Sequence, residues 1–160
     1  MLTIAFDQAT VTTGWSVFLN KELVEYGRFN HDGEIIDRMS HMVESMINLT
    51  DKYIEQYPKE KVQVVIEDIQ LQRNALTFKQ LAQLQGAVLI SFFDKYKERP
   101  TVYSSSTWKS WNKVEGKGRA AQKRDAQKKI EDSYGIKVTQ DEADSILLGR
   151  YAANNIMLWG

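Results

Sequence analysis

A chain of 160 residues is long enough to bury one core and short for two, and its 42% hydrophobic and 26% charged residues are ordinary for a globular protein. With no cysteine, disulfides, thiolate zinc sites and cysteine nucleophiles are excluded, and a reducing compartment fits. The 21 Lys and Arg balance the 21 Asp and Glu, but residues 109–129, KSWNKVEGKGRAAQKRDAQKK, hold eight of the cations against Glu115 and Asp125, so the rest of the chain is acidic.

Such a basic stretch is either the seat of a polyanion or a solvated helix face, and charge alone leaves both open. The longest largely apolar stretch, AVLISFF at 87–93, is far too short to span a membrane. Asp7 interrupts the N-terminus before the hydrophobic region of a signal peptide could form, so a cytoplasmic protein is expected. The two histidines, His31 and His41, have no metal-ligand spacing and are expected on the surface.

In chain order, LTIAFDQA alternates Leu2, Ile4 and Phe6 against Thr3, Ala5 and Asp7, which is strand periodicity ending on an acid. After TVTT, Gly14 is expected to permit a turn, and GWSVFLN with ELVEYGRF reads as an antiparallel hairpin closed near Asn20 and Lys21. Apolar residues at helical spacing predict a helix from Glu34 to Tyr57, with Pro58 just past its end. VQVVIEDI is a nearly continuous apolar run, as expected of a central strand covered on both faces, and it leads into Glu67.

A second long helix, about Ala75 to Lys97, carries Leu76, Phe78, Leu81, Leu84, Val88, Leu89, Phe92 and Phe93 on more than one side, with Gly86 permitting close approach. Such a helix is either sandwiched in the core or shares a face with a symmetric partner. TVYSS reads as a short fifth strand, SSTWKSW as a helical turn and EGKGR as a mobile loop. Arg119 to Tyr134 reads as a basic helix stopped by Gly135, and Thr139 starts the last helix. The resulting order, β-β-β-α-β-α-β-α-α without repeat or linker, implies a mixed sheet with helices on its faces in a single domain, 1–160.

The last helix opens with Asp141, Glu142 and Asp144. Thr139 with Glu142 fits a capping box, which accounts for Glu142. Asp141 and Asp144, three residues apart, project from one helix face toward a common point. Asp7 and Glu67 each end a core strand, and neighbouring strands bring their last side chains together. Each acid alone is explained by a cap or a surface ion pair. Four around one pocket would raise one another's pKa values, a difficulty that divalent cations remove. Oxygen donors without histidine or cysteine favour Mg²⁺ or Mn²⁺, and two such ions about 3.5–4 Å apart suit in-line phosphodiester hydrolysis.

An acid in the first strand within FDQATVTTGWSV, a glutamate after an apolar strand in VVIED, and DEADSILLG on a late helix, in this element order, together resemble the RuvC family of Holliday-junction resolvases of the RNase H-like superfamily, most like the members carried by bacteriophages. The resemblance implies an α/β fold with a mixed five-stranded sheet and helices on both faces. It also implies Asp7, Glu67, Asp141 and Asp144 as the catalytic acids holding two Mg²⁺ ions, with Mn²⁺ as a substitute. Hydrolysis would leave 5′-phosphate and 3′-hydroxyl ends in branched DNA: four-way junctions, with three-way and fork structures as further substrates. A homodimer through the helix around 75–97 is implied, in the cytoplasm of a bacterial cell or phage-infected host.

Lys109 and Lys123 are the nearest matches to the family's basic residues, and Lys117, Arg119 and Arg124 of the same stretch join them as candidate DNA contacts. Two stretches depart from the family pattern. Gln8-Ala9 follows the first acid where the family has Pro-Gly or a similar small pair. Asp68-Ile69-Gln70-Leu71 follows Glu67 where the family often has a junction-wedging aromatic, leaving Gln70 or Leu71 as a weaker wedge. Two other readings are an RNase H-like nuclease acting on RNA and a junction-binding protein without catalysis. Actin-like ATPases, which also open on an Asp-bearing strand and hairpin, need glycine-rich phosphate loops and a second lobe, and neither is visible.

Overall fold

The computed structural model describes residues 1–71 and 73–156. Among them are five strands and five helices: β1 (Leu2–Asp7), β2 (Thr12–Leu19), β3 (Glu22–Asn30), α1 (Ile35–Gln56), β4 (Val62–Glu67), α2 (Ala75–Tyr96), β5 (Thr101–Tyr103), α3 (Ser105–Trp111), α4 (Arg119–Tyr134) and α5 (Gln140–Asn154). The strands form one sheet of order β3-β2-β1-β4-β5. β1 to β3 are antiparallel neighbours, while β4 runs parallel to β1 and β5 parallel to β4. No helix among the described residues is long and apolar enough to cross a membrane.

The period of two along each strand divides the interior into two cores. Leu2, Ile4 and Phe6 of β1, Val64 and Ile66 of β4, and Trp15 and Val17 of β2 pack on one face, against Met42, Met46, Leu49 and Tyr53 of α1 and Leu84, Val88 and Phe92 of α2. On the other face Ala5, Phe18 and Val65 meet Trp108 of α3, Ala126 and Ile130 of α4, and the buried side of α5. Each fully buried leucine, isoleucine or phenylalanine contributes about 1.5–3 kcal/mol to this sandwich. Asp7 and Glu67 share their parity with Ala5 and Val65, so both acids face the α5 side.

Helix α5 lies unusually close to the sheet. A Cβ on Gly14 would sit 2.1 Å from the Asp141 carbonyl oxygen, and one on Gly149 would sit 2.6 Å from Ser16 Oγ. Gly14 is therefore a strand residue that admits the first turn of α5, not the turn expected from TVTTG. Three side chains then bind carbonyls of α5: Ser16 Oγ donates to Ser145 O (2.6 Å), Asn112 Nδ2 to Leu147 O (3.0 Å) and Gln63 Nε2 to Ala152 O (2.8 Å). Held from β2, β4 and the end of α3, the helix has a fixed rotation about its axis.

Other expectations need adjustment. SSTWKSW is a seven-residue helix. The EGKGR segment is fastened to α4, where Glu115 N donates to Asp125 Oδ2 at 2.8 Å. His31 and His41 are half-buried rather than on open surface, because the end of β3 lies against α1 and stacks the two rings with centroids 4.2 Å apart. Gly86 has nothing within 4 Å of a built Cβ, so no other described part of this chain approaches it. On α2, Leu84, Val88 and Phe92 are fully buried, whereas Leu76, Ile90 and Phe93 are 61%, 62% and 51% exposed. The wide apolar surface of α2 thus has an inner half inside the fold and an outer half facing away from it.

Candidate active site

Because β1 and β4 run parallel in the register Phe6 to Ile66, their last residues, Asp7 and Glu67, emerge side by side at one end of the sheet. Helix α5 begins over the same end. Thr139 Oγ1 accepts from Glu142 N, and the Glu142 carboxylate accepts from Thr139 N at 3.0 Å, closing the expected capping box. Glu142 is thereby occupied, leaving Asp141 and Asp144 to face the strand ends. All four acids line one pocket of about 340 Å³, together with Gln8, Asp68, Gln70, Leu81 and Gln122.

Of the five cations selected from the sequence, Lys109 from α3 and Arg119 and Lys123 from α4 line this pocket. Arg119 and Lys123 are one helical turn apart and share a face. Lys117 is exposed in the segment before α4, outside the pocket lining. Arg124 points to the other side of α4, into a hollow shared with Lys128 and Lys137. Gln70 borders the pocket, while Leu71 projects outward, 86% exposed.

Confinement of like charges shows in the acidities. Burial, then the charges of Glu67, Asp144 and Asp141, hold Asp7 well above the usual carboxylate range, against a lowering influence from Lys123. Glu67 is pushed up to about 7, first by burial and then by Asp144, while the Trp108 hydrogen bond, Lys109 and Lys123 act the other way. Burial raises Asp144 to about 6, with Lys123 and Lys109 opposing and Asp141 adding to the rise. The three cations soften the repulsion without cancelling it.

Trp108 and Gln85 were not selected from the sequence, and Gln8 was selected only as a departure from the family pattern. Trp108, fully buried under the pocket, donates its indole N–H to Glu67 Oε2 at 2.8 Å. Gln8, only 6% exposed, donates to the Glu67 carbonyl at 3.1 Å and to Gln85 Oε1 at 2.7 Å. Gln85 of α2 in turn donates to Asp68 Oδ1 at 3.1 Å. The local signal for Trp108 was a tryptophan beside Lys109, and for Gln85 a polar residue between Leu84 and Val88 on an apolar helix.

The donors present suit a hard cation: carboxylates only, partly buried, and under-neutralised by their surroundings. As the side chains stand, no three acids or histidines among the described residues are gathered into a ready-made metal cluster.

The sheet order and the helices on both faces define an RNase H-like α/β fold. Within that class the chain is similar in structure to RuvC of Thermus thermophilus. In complex with Holliday junction substrate, that protein aligns at a TM-score of 0.73 and 13% identity over 99% of this chain and 98% of that chain. A second Thermus thermophilus RuvC structure aligns at 0.70 and 14% identity over 96% of this chain and 93% of that one. No protein-family model matches the chain, and no curated protein matches its sequence. At such identities the likeness establishes the fold.

Because folding raises these carboxyls above their ordinary values, the folded protein retains protons that the unfolded chain has already released. Stability therefore falls as pH climbs from 4.5 to about 7 for Glu67 and from 3.8 to about 6 for Asp144. In EDTA, the protein is expected to melt at a higher temperature at pH 5 than at pH 8. Asp144→Asn removes one of the opposed charges and should raise Tm at pH 8 by roughly 2–5 °C while flattening the profile. Thermal melts showing no slope for the unmodified protein between those pH values would contradict the crowding of charge.

Proposed function

We propose that this chain is a divalent-metal-dependent, structure-selective DNA endonuclease that resolves four-way junctions and related branched DNA. The observation that carries the reading is the meeting of Asp7, Glu67, Asp141 and Asp144 in one pocket walled by Lys109, Arg119 and Lys123. Its support is the likeness in fold to a protein described in complex with a Holliday junction.

The four acids would hold Mg²⁺, with Mn²⁺ as a substitute. When bound, two such ions supply activation of water and stabilisation of the departing oxygen in an in-line displacement at phosphorus. The chain's own residues do the rest. Lys109, Arg119 and Lys123 offset phosphate charge at the pocket wall, and Lys117 and Arg124 extend the positive surface along the duplex on either side of α4. Trp108 orients Glu67 from beneath. The products are 5′-phosphate and 3′-hydroxyl ends.

The exposed outer half of α2, with Leu76, Ile90 and Phe93, and with Gly86 clear of the described chain, suits a second copy of the chain. A twofold pair would place two pockets for symmetric nicks. Leu71, exposed just past Glu67, is the candidate wedge in place of an aromatic residue. That substitution and the Gln8-Ala9 pair are departures from the RuvC pattern, and the members carried by bacteriophages are the ones the sequence most resembles.

Incubation with labelled four-way, three-way, fork, linear and RNA substrates tests the reading, with cleavage expected for branched DNA in Mg²⁺ and none in EDTA. Asp144→Asn should lower the cleavage rate at least about 100-fold while junction binding persists, and normal cleavage by that variant would remove the acid from the mechanism. Lys123→Ala should weaken binding to junctions of every sequence and reduce the salt slope by about one, so an unchanged slope takes Lys123 off the DNA path. Sedimentation of Phe93→Arg is expected to show a monomer where the unmodified chain forms a dimer.

A further inference from the structure

Asp7 is followed by Gln8, which is buried and borders the acidic pocket. Its amide nitrogen donates at once to the Glu67 carbonyl (3.1 Å) and to Gln85 Oε1 (2.7 Å), and Gln85 Nε2 donates to Asp68 Oδ1 (3.1 Å). The order of donors is enforced from the far end. The Asp68 side-chain oxygen accepts, so Gln85 presents its NH₂ group to Asp68 and its carbonyl to Gln8. Gln8 must then present its own NH₂ group, and its Oε1 is left buried without a hydrogen-bond partner. Reversing the Gln8 amide would set its oxygen against two other oxygens. A buried acceptor left unsatisfied is unfavourable, and its presence shows that the direction of the chain is imposed.

These bonds join three elements. Gln8 follows β1, Asp68 follows β4, and Gln85 lies on α2 one turn beyond Leu81, which itself borders the pocket. The inner face of α2 also meets the sheet through apolar contacts of Leu84, Val88 and Phe92, which are non-directional and define position along the helix loosely. We infer that Gln85 is a positioning residue, through which the placement of α2 sets the relative position of the Asp7 and Glu67 strand ends.

The inference rests on the nuclease reading of the pocket, and the test keeps the two apart. The variants are Gln85→Glu, Asp68→Asn and the double variant. In Gln85→Glu two carboxylates face each other and the chain of bonds breaks. In Asp68→Asn the side-chain oxygen still accepts. In the double variant the new amide at position 68 donates to the new carboxylate at position 85, which still accepts from Gln8, so the link is restored with one joint reversed. Single-turnover cleavage of a saturating four-way junction should fall about tenfold or more in Gln85→Glu, fall about two- to threefold in Asp68→Asn, and return to within about threefold of the unmodified rate in the double variant. Junction affinity should stay within about twofold throughout, and the rise in Tm on adding Mg²⁺ should follow the same order as cleavage.

Unchanged cleavage in Gln85→Glu, or a double variant no faster than that single one, overturns the role of Gln85. Absence of cleavage by the unmodified protein overturns the nuclease reading instead. The Mg²⁺-dependent Tm series then judges the relay, with loss in Gln85→Glu and recovery in the double variant supporting it and an equal rise in all variants overturning it. No Mg²⁺-dependent rise in the unmodified protein overturns both. Should Gln85→Glu not fold, Gln85→Leu, which removes both bonds without adding charge, carries the same expectation.

Discussion

Helix α5 comes so near to β2 that neither Gly14 nor Gly149 has room for a side chain. That closeness is what brings the first turn of the helix, with Asp141 and Asp144, over the end of the sheet where Asp7 and Glu67 emerge. A side chain at either glycine would have to push the helix outward or strain it, and overpacking of this kind is typically unfavourable by about 1–3 kcal/mol. Distance alone would still leave the helix free to roll. The bonds from Ser16, Gln63 and Asn112 to its carbonyls remove that freedom, so the direction of the two aspartates follows from polar contacts spread along the helix, from Ser145 beside Asp144 to Ala152 near its end.

Placing these acids together works against the stability of the empty fold. Burial and mutual repulsion act in the same direction on Asp7, Glu67 and Asp144, and the nearby lysines offset only part of it. An isolated surface acid has none of this difficulty. A protein that retains such an arrangement holds free energy that a cation or a positively charged contact can release, which is the physical basis for reading the pocket as a binding and reaction site. The hydrogen bond from Trp108 acts within the same balance. It favours the ionised form of Glu67 and at the same time holds that carboxylate in one orientation.

Local pattern made much of this legible. Alternation in LTIAFD showed which residues share a face, and the same alternation sends Asp7 toward α5. The Thr139–Glu142 spacing identified the helix start and set Glu142 apart from its neighbours. Features that depend on distant parts of the chain were not readable in this way. Gly14 sits in a run that resembles a turn, and its true neighbour, Asp141, is far away in sequence. Gln8 and Gln85 show no periodic signal, because a hydrogen bond between residues so far apart leaves none. Lys123 is suggested by the family resemblance and Arg124 only by its place in the same basic stretch, yet adjacent residues on a helix point roughly 100° apart, and only the first meets the pocket. His31 and His41 looked unrelated because neither periodicity nor spacing shows that β3 ends against α1.

The two strands that open the sheet and the helix that covers it lie near opposite ends of the described chain. During synthesis, β1 can pair with β2 and later with β4, but the pocket lacks half its acids until α5 has emerged and docked. A partly made chain, however well its sheet has formed, holds only Asp7 and Glu67 in place. The acidic cluster is therefore conditional on sequence-distant docking: it forms only once α5 has joined the nine described elements that precede it.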